Sequence, residues 1–238
     1  MVDKNEIEIV RGDLGVFACF GESTRLLSKG PAIWGFALVC FTYIAAASTV
    51  PFASLAAGVF MGGIHLGFTR LMDGRKVEAA TGFEGFSHFG QLLLANLIQA
   101  GIAFVVVMPF YCLFTTLFVV AVDSLQGPQG AAISVTFLMG ILVAGILALL
   151  VQVFTVFNYV LVVDRGLSAW GATVVSFRGV KKNLVSVILL ELACGLVLVV
   201  ATLLCCLPLF VAMPWVIGAQ TAAYATIFPR EGLAEVFD

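Results

Sequence analysis

Residues 184–207 read LVSVILLELACGLVLVVATLLCCL, an apolar run interrupted by a single acid, Glu191. A helix of about 20 apolar residues crosses a hydrocarbon core of ~30 Å, so this run predicts a membrane span. The residues ahead of it, DRGLSAWGATVVSFRGVKKN (164–183), have a different character. Ser168 has the side chain of a helix N-cap. Behind it, Trp170, Val174 and Phe177 fall on one helical face. Arg178, Lys181 and Lys182 gather at the end of that helix, where cations suit the helix dipole. This is the pattern of an amphipathic connector lying at a membrane surface and feeding a span.

The remainder of the chain follows the same pattern. Of 238 residues, 61% are hydrophobic and 11% are charged, against roughly 25% charged in a soluble domain. The mean hydropathy is +1.11. The apolar residues form blocks rather than the 3.6-period stripes of soluble helices. The ten-residue alternation of a membrane β-barrel is missing. The expected fold is an all-α membrane protein, a six-span helical bundle with cytoplasmic amphipathic connector helices.

Residues 1–30 form a polar cytoplasmic arm. It does not read as a signal peptide, because the first apolar run begins only near Pro31, after several acids. Residues 13–29 fit an amphipathic helix capped by Asp13, with Leu14, Phe17, Ala18 and Phe20 towards the membrane surface; a partly ordered tail is the alternative. A single transmembrane domain follows over 31–228, and 229–238 is a cytoplasmic tail. The first span covers 32–50 with Trp34 as an interfacial anchor, and Pro51 marks a hairpin. The second covers 52–69, where Gly58, Gly62, Gly63 and Gly67 make overlapping small-xxx-small pairs that let another backbone come close, most simply within the monomer. A connector over 70–91 carries Phe83, Phe86 and Phe89 at spacings of three, suited to a membrane interface or to packing under the bundle.

Two apolar blocks, 92–122 and 131–163, come next. Each would be ~45–50 Å long as a straight helix, more than a bilayer needs. Pro109 predicts a kink in the first block, and no breaker cleanly divides the second. An apolar hairpin projecting from the membrane is therefore the expectation, with eight shorter spans as the alternative. Residues 184–207 and 209–228, either side of Pro208, complete the spans.

Orientation follows from counting. All 12 Lys and Arg fall in the arm, in the connectors after spans two and four, and after span six. The positive-inside rule then places both termini in the cytoplasm, and the eight-span scheme has the same sidedness.

The chemistry available to such a chain is limited. There is no GxxxxGK[ST], GxSxG or HExxH, two histidines make a metal site unexpected, and the basic residues are spread as a topology signal rather than a nucleic-acid patch. No cofactor is implied. Of the cysteines, Cys112 and the vicinal Cys205-Cys206 could meet on the outer side, but spacing alone establishes no disulfide. Polar side chains within the apolar blocks are His65, Asn96, Gln99, Gln152, Asn158, Glu191 and Gln220. His65 lies ~8 Å inside Arg70, Asn158 ~9 Å inside Asp164, Glu191 and Asn96 ~12 Å beyond Asn183 and His88, and Gln220 ~12–15 Å from Arg230. These groups share a depth in the cytoplasmic half of the bilayer. A carboxylate there costs roughly 2.5–3.5 kcal/mol on insertion scales. Glu191 must therefore be protonated, hydrogen-bonded to one of His65, Asn96, Asn158 and Gln220, or facing water. The layer is either a ligand or proton site or a set of bonds that fixes helix register.

Three passages carry a resemblance. They are VPFASLAAGVFMGGIHLGFTRLMDGR (50–75) with FEGFSHFG (83–90), VVDRGLSAWGATVVSFRGVKKN (162–183), and LPLFVAMPWVIGAQTAAYATIF (207–228). The chain resembles a broad group of uncharacterised bacterial inner-membrane proteins, related in pattern to the membrane domain that accompanies some glycerophosphodiester phosphodiesterases. The resemblance covers roughly residues 50–100 and 155–228. It implies a six-helix bundle with cytoplasmic amphipathic connectors and carries over no catalytic residue. The long blocks around Pro109 and Ala131 depart from that group's usual lengths. The expectation is a protein that acts by binding: a subunit or assembly partner of a membrane complex, or a bundle that binds lipid or a small amphiphile. Its partners would be membrane lipids, other membrane-protein subunits or a second copy, and not nucleic acid. The alternative is a small permease component that uses the polar layer around Glu191.

Overall fold

A computed structural model describes residues 7–11, 14–29, 32, 34–35, 57–122, 128–204 and 208–229. Every regular element among them is helical. The elements are α1 (Val16–Lys29), α2 (Ala57–Met72), a 3-10 helix (Ala79–His88), α3 (Phe89–Val122), α4 (Pro128–Thr155), α5 (Asn158–Arg165), α6 (Ala169–Lys182), α7 (Leu184–Leu203) and α8 (Leu209–Ile227). Nearly all of the expected first span, its Pro51 hairpin, the Asp13 cap, the Cys205-Cys206 pair and the acidic tail lie outside the described residues.

Among the described residues, four helical segments are long and apolar enough to cross a membrane: Phe83–Val119, Phe137–Arg165, Leu184–Leu203 and Leu209–Ile227. Their central windows are 0, 17, 28 and 67% buried in protein, and the last has the lowest mean hydropathy, 1.2 against 2.3–2.8. Helices that face lipid must be apolar all round, whereas one enclosed by others can carry polar groups. α8 is the enclosed one.

The chain forms two compact units, one containing residues up to 97 and from 154 onward, the other residues 98–153. In the second unit α3 and α4 run antiparallel. Gln99 Nε2 donates to Gln152 Oε1 at 2.8 Å, Phe114 lies over Gly140, and the rings of Phe118 and Phe137 are 4.4 Å apart. Pro109 sits inside α3, which runs uninterrupted to Val122. Pro128 occupies the first position of α4, where its missing N–H costs nothing.

The block 131–163 departs from expectation. It breaks at Val156–Phe157, between α4 and α5. No Gly or Pro causes the break. A continuous helix would give the carbonyl of Phe154 to the N–H of Asn158; here Ser176 Oγ of α6 donates to Phe154 O at 2.8 Å. The ring of Phe177 stacks on Phe154, centroids 4.7 Å apart. A hydrogen bond from a distant helix thus replaces a local one, a substitution that residue pattern alone does not announce.

In the first unit, α1, α2 and α7 pack around α8. The arm also departs from expectation. α1 buries Cys19, Phe20, Ser23, Leu26 and Leu27, and Leu14 is buried just ahead of it. Of the residues expected at the membrane surface, Phe17 is 92% exposed and Ala18 is exposed, while Leu14 and Phe20 are core. The reason is α8: Val10 N donates to Ile227 O, Ser23 Oγ donates to Trp215 O, and Leu27 lines a groove with Val211. The arm therefore runs antiparallel along nearly the whole of α8.

The glycines of α2 seat this unit. A Cβ on Gly58 would lie 2.8 Å from the Tyr159 ring and 3.1 Å from Leu92 O. One on Gly62 would lie 2.7 Å from Leu92 Cδ1. Gly63 takes the 3-10 helix, whose Gly85 approaches so closely that a Cβ there would meet Gly63 N at 2.9 Å. Gly67 has more space, with Val77 at 3.9 Å from a Cβ placed there. α6 begins at Ser168, whose Oγ accepts from Gly171 N, and Gln91 Oε1 accepts from Ala169 N.

Candidate functional site: the polar seam and groove of α8

α8 presents a different polar group to each helix around it. Near its start, Trp215 Nε1 donates to Thr24 Oγ1 at 3.0 Å and to Phe20 O at 3.2 Å of α1. The rings of Trp215 and Phe20 meet edge-on, centroids 4.8 Å apart. Gly218 lies against Ser23 and Phe68. Gln220 Nε2 donates to Glu191 Oε1 of α7 at 2.8 Å. Thr221 Oγ1 and His65 Nδ1 of α2 lie 2.8 Å apart. At the far end, the Tyr224 hydroxyl donates to Asp164.

The polar groups predicted at a common depth are thus taken up by different partners. Glu191 meets Gln220, and both are almost fully buried at 6 and 7% exposure. His65 meets Thr221. Asn96 Oδ1 accepts from the Tyr159 hydroxyl at 2.9 Å. Asn158 Nδ2 donates to Thr173 Oγ1 at 3.2 Å, while its buried Oδ1 has no hydrogen-bond partner. Each bond joins two helices, the arrangement that holds a bundle in register.

Arg165 is a residue that sequence reasoning did not single out. It donates to Phe228 O at 2.9 Å, to Pro229 O at 3.0 Å and to the Tyr224 hydroxyl at 3.1 Å. A guanidinium with its fork of donors can satisfy several carbonyls at once at a helix C-terminus. Its position one residue before Gly166, which has φ 62° and ends α5, is the available signal. The glycine marks the helix end, but nothing local points to α8.

Beside the start of α8 lies a groove of about 470 Å³, lined by Thr24, Leu27, Ser28, Trp34, Val211 and Trp215. Trp34 packs near Phe210, ring centroids 6.2 Å apart. The two hydroxyls are already engaged: Thr24 Oγ1 and Ser28 Oγ each donate to a carbonyl of their own helix. What the groove offers a ligand is apolar surface and two indole faces. Its volume is in the range of small-molecule sites.

Two further groups of aromatic residues are on the outside. Phe83, Phe86 and Phe89 are about half exposed and form a ladder with centroid spacings of 6.4 and 6.3 Å. A 3-10 helix has three residues per turn, so a spacing of three stacks these rings directly. Arg70 donates to Glu84 beside the ladder at 2.7 Å, which holds the Glu84 carboxyl below its ordinary range. On α6, Trp170 and Phe177 are 61 and 48% exposed, and Arg178, Lys181 and Lys182 are exposed with them. Cys112 is a free, exposed thiol. Comparison with protein-family models, with curated proteins and with solved structures finds no match.

Proposed function

We propose that the chain is a multi-pass protein of the bacterial inner membrane that acts by binding rather than catalysis, and that its ligand is a lipid or small amphiphile whose apolar chain occupies the groove between α1 and α8. The observation that carries this reading is the groove itself. It is a volume of about 470 Å³ walled by Leu27, Val211 and two tryptophans, beside a helix long enough to cross a membrane. An apolar chain gains from such walls without needing a polar group, and indole rings favour molecules with one apolar and one wet end. The polar seam does not compete for this role, because its side chains are spent on helix-to-helix bonds.

The same reading takes six spans, with the first over 32–50 and both termini cytoplasmic. The distribution of Lys and Arg supports this sidedness. The bond from Val10 N to Ile227 O puts the segment ahead of α1 beside the end of α8 and supports it further. A permease component built on Glu191 is the second reading. Glu191 is buried within a span, but its bond to Gln220 is equally what a register-setting pair would make.

Purification in mild detergent followed by native mass spectrometry tests the groove. The expected result is a retained amphiphile that is lost from Val211→Trp, a half-exposed position where a larger side chain fills the groove from its wall. Retention of the same amphiphile by Val211→Trp, with an unchanged melting temperature, overturns the assignment. A stoichiometric protein partner without bound amphiphile would favour the subunit reading instead.

A further inference from the structure

One outward surface is left unused by the groove and the seam. α6 buries Ala169, Gly171, Ala172, Thr173, Val175, Ser176, Gly179 and Val180 against the bundle. The opposite face carries Trp170, Phe177, Arg178 and Lys181. At 3.6 residues per turn these four lie within an arc of about 100°. α6 ends at Lys182, two residues before Leu184, where the apolar α7 begins, and the first residues of α7, Leu184 and Val185, are themselves exposed. The cations therefore sit where a span enters hydrocarbon, at headgroup level.

The surroundings extend the charge. Lys182 Nζ donates to Ile9 O at 3.0 Å, and Asn183 Nδ2 donates to Val10 O at 3.1 Å, which pins the segment 7–11 against the end of α6. Arg11 is exposed on that segment, as is Glu8. Among the described residues of these two segments, the cations Arg11, Arg178, Lys181 and Lys182 and the acid Glu8 are exposed. Arg178 and Lys181 are three apart on the helix surface and so are neighbours. Two adjacent donors can share a phosphate, and Phe177 beside them offers an apolar shelf.

We propose that this face of α6 is a docking surface for the anionic phospholipid headgroups of the bilayer that α7 enters. Charge complementarity selects the occupant: a cluster of cations interleaved with interfacial aromatics fits an anionic membrane surface rather than a zwitterionic one. The site is independent of the groove, whose described lining has no charged side chain.

The test is lipid retention by the purified protein, read by native mass spectrometry during titration with phosphatidylglycerol and, separately, phosphatidylcholine. Arg178→Gln with Lys181→Gln removes the two cations that face outward and leaves Lys182 on its carbonyl. Each basic residue near an anionic surface contributes about fivefold in affinity, so the double variant is expected to bind phosphatidylglycerol roughly 25-fold more weakly. Phosphatidylcholine binding should not change. Arg75→Gln with Lys76→Gln removes the same charge from another exposed site and should leave phosphatidylglycerol binding within about twofold of the unmodified chain. An equal loss in both double variants would show bulk charge rather than a site and overturn the proposal. Unchanged retention in Arg178→Gln/Lys181→Gln, or the loss of a soluble protein partner in place of lipid, would also overturn it.

Discussion

Gln220→Leu should destabilise the bundle more than its hydrogen bond alone contributes, and adding Glu191→Leu should restore most of the loss. The bond between them is 2.8 Å long, and each residue is under 10% exposed. A hydrogen bond between membrane helices contributes about 0.6 kcal/mol on average and up to about 1.7. Removing one partner costs more, because the other is left buried without a bond, a penalty of roughly 1–3 kcal/mol. Each single leucine variant should therefore lose about 1.6–4.7 kcal/mol. Replacing both residues by apolar groups of similar size removes the penalty as well as the bond, and the double variant should lie within about 1 kcal/mol of the parent. Glu191→Gln keeps an acceptor and should cost under about 1 kcal/mol. The assay is equilibrium unfolding in mixed micelles on titration with dodecyl sulfate, followed by tryptophan fluorescence. A double variant as unstable as the two singles summed would refute the reasoning, since it would mean that the two side chains act separately. If Glu191 instead carries protons for transport, Glu191→Gln would abolish a pH-dependent flux in liposomes while leaving stability unchanged.

Three other outcomes follow from the packing. Gly218→Ala would put a Cβ 2.2 Å from Ser23 Oγ and 2.8 Å from the Phe68 ring; a loss of about 1–3 kcal/mol is expected, with faster tryptic cleavage at Arg25 and Lys29 as α1 loosens, and unchanged cleavage would contradict the α1–α8 contact. Arg165→Met strips the end of α8 of three hydrogen bonds and should cost more than about 2 kcal/mol, measured in the same micelle titration; parity with the parent would show that water serves those carbonyls as well. Arg70 lowers the Glu84 pKa chiefly by hydrogen bonding, so the pair's contribution is complete above the ordinary glutamate range, near ~4.3, and fades as the pH falls through the depressed value. Because Arg70 and Glu84 are 28 and 49% exposed, the parent should exceed Arg70→Gln by under about 1 kcal/mol at pH 6, and the gap should narrow as the pH falls below the ordinary glutamate range; a gap that does not narrow in acid would mean that Arg70 stabilises by another route.

How far residues alone carried the reading depends on the range of the interaction. Ser168 capping α6 is a matter of three residues, and a spacing of three phenylalanines becomes a ladder once the helix is 3-10. Gln220 could be named as a possible partner of Glu191 from depth alone, because both distances were counted along helices that are in fact helices. What stayed hidden was decided between segments far apart in sequence. The buried face of α1 has a polar residue, Ser23, at its centre, and only the Trp215 carbonyl explains it. The break at Phe157 needs Ser176, and the position of Arg165 needs the end of α8. In each case the local pattern has a reasonable alternative, and a bond spanning about 20 to nearly 200 residues selects against it.

The enclosure of α8 has a consequence for how the protein is made. Its mean hydropathy of 1.2 gives it the weakest claim on the lipid of the four candidate spans, and its polar side chains would meet hydrocarbon if it entered alone. It is also the last of them to leave the ribosome. By then α1, α2 and α7 have been synthesised, and the groups that receive Trp215, Gln220, Thr221 and Tyr224 already exist. α8 can thus enter a prepared protein slot rather than bare lipid, and the arm made before it is held in place by the helix made after it.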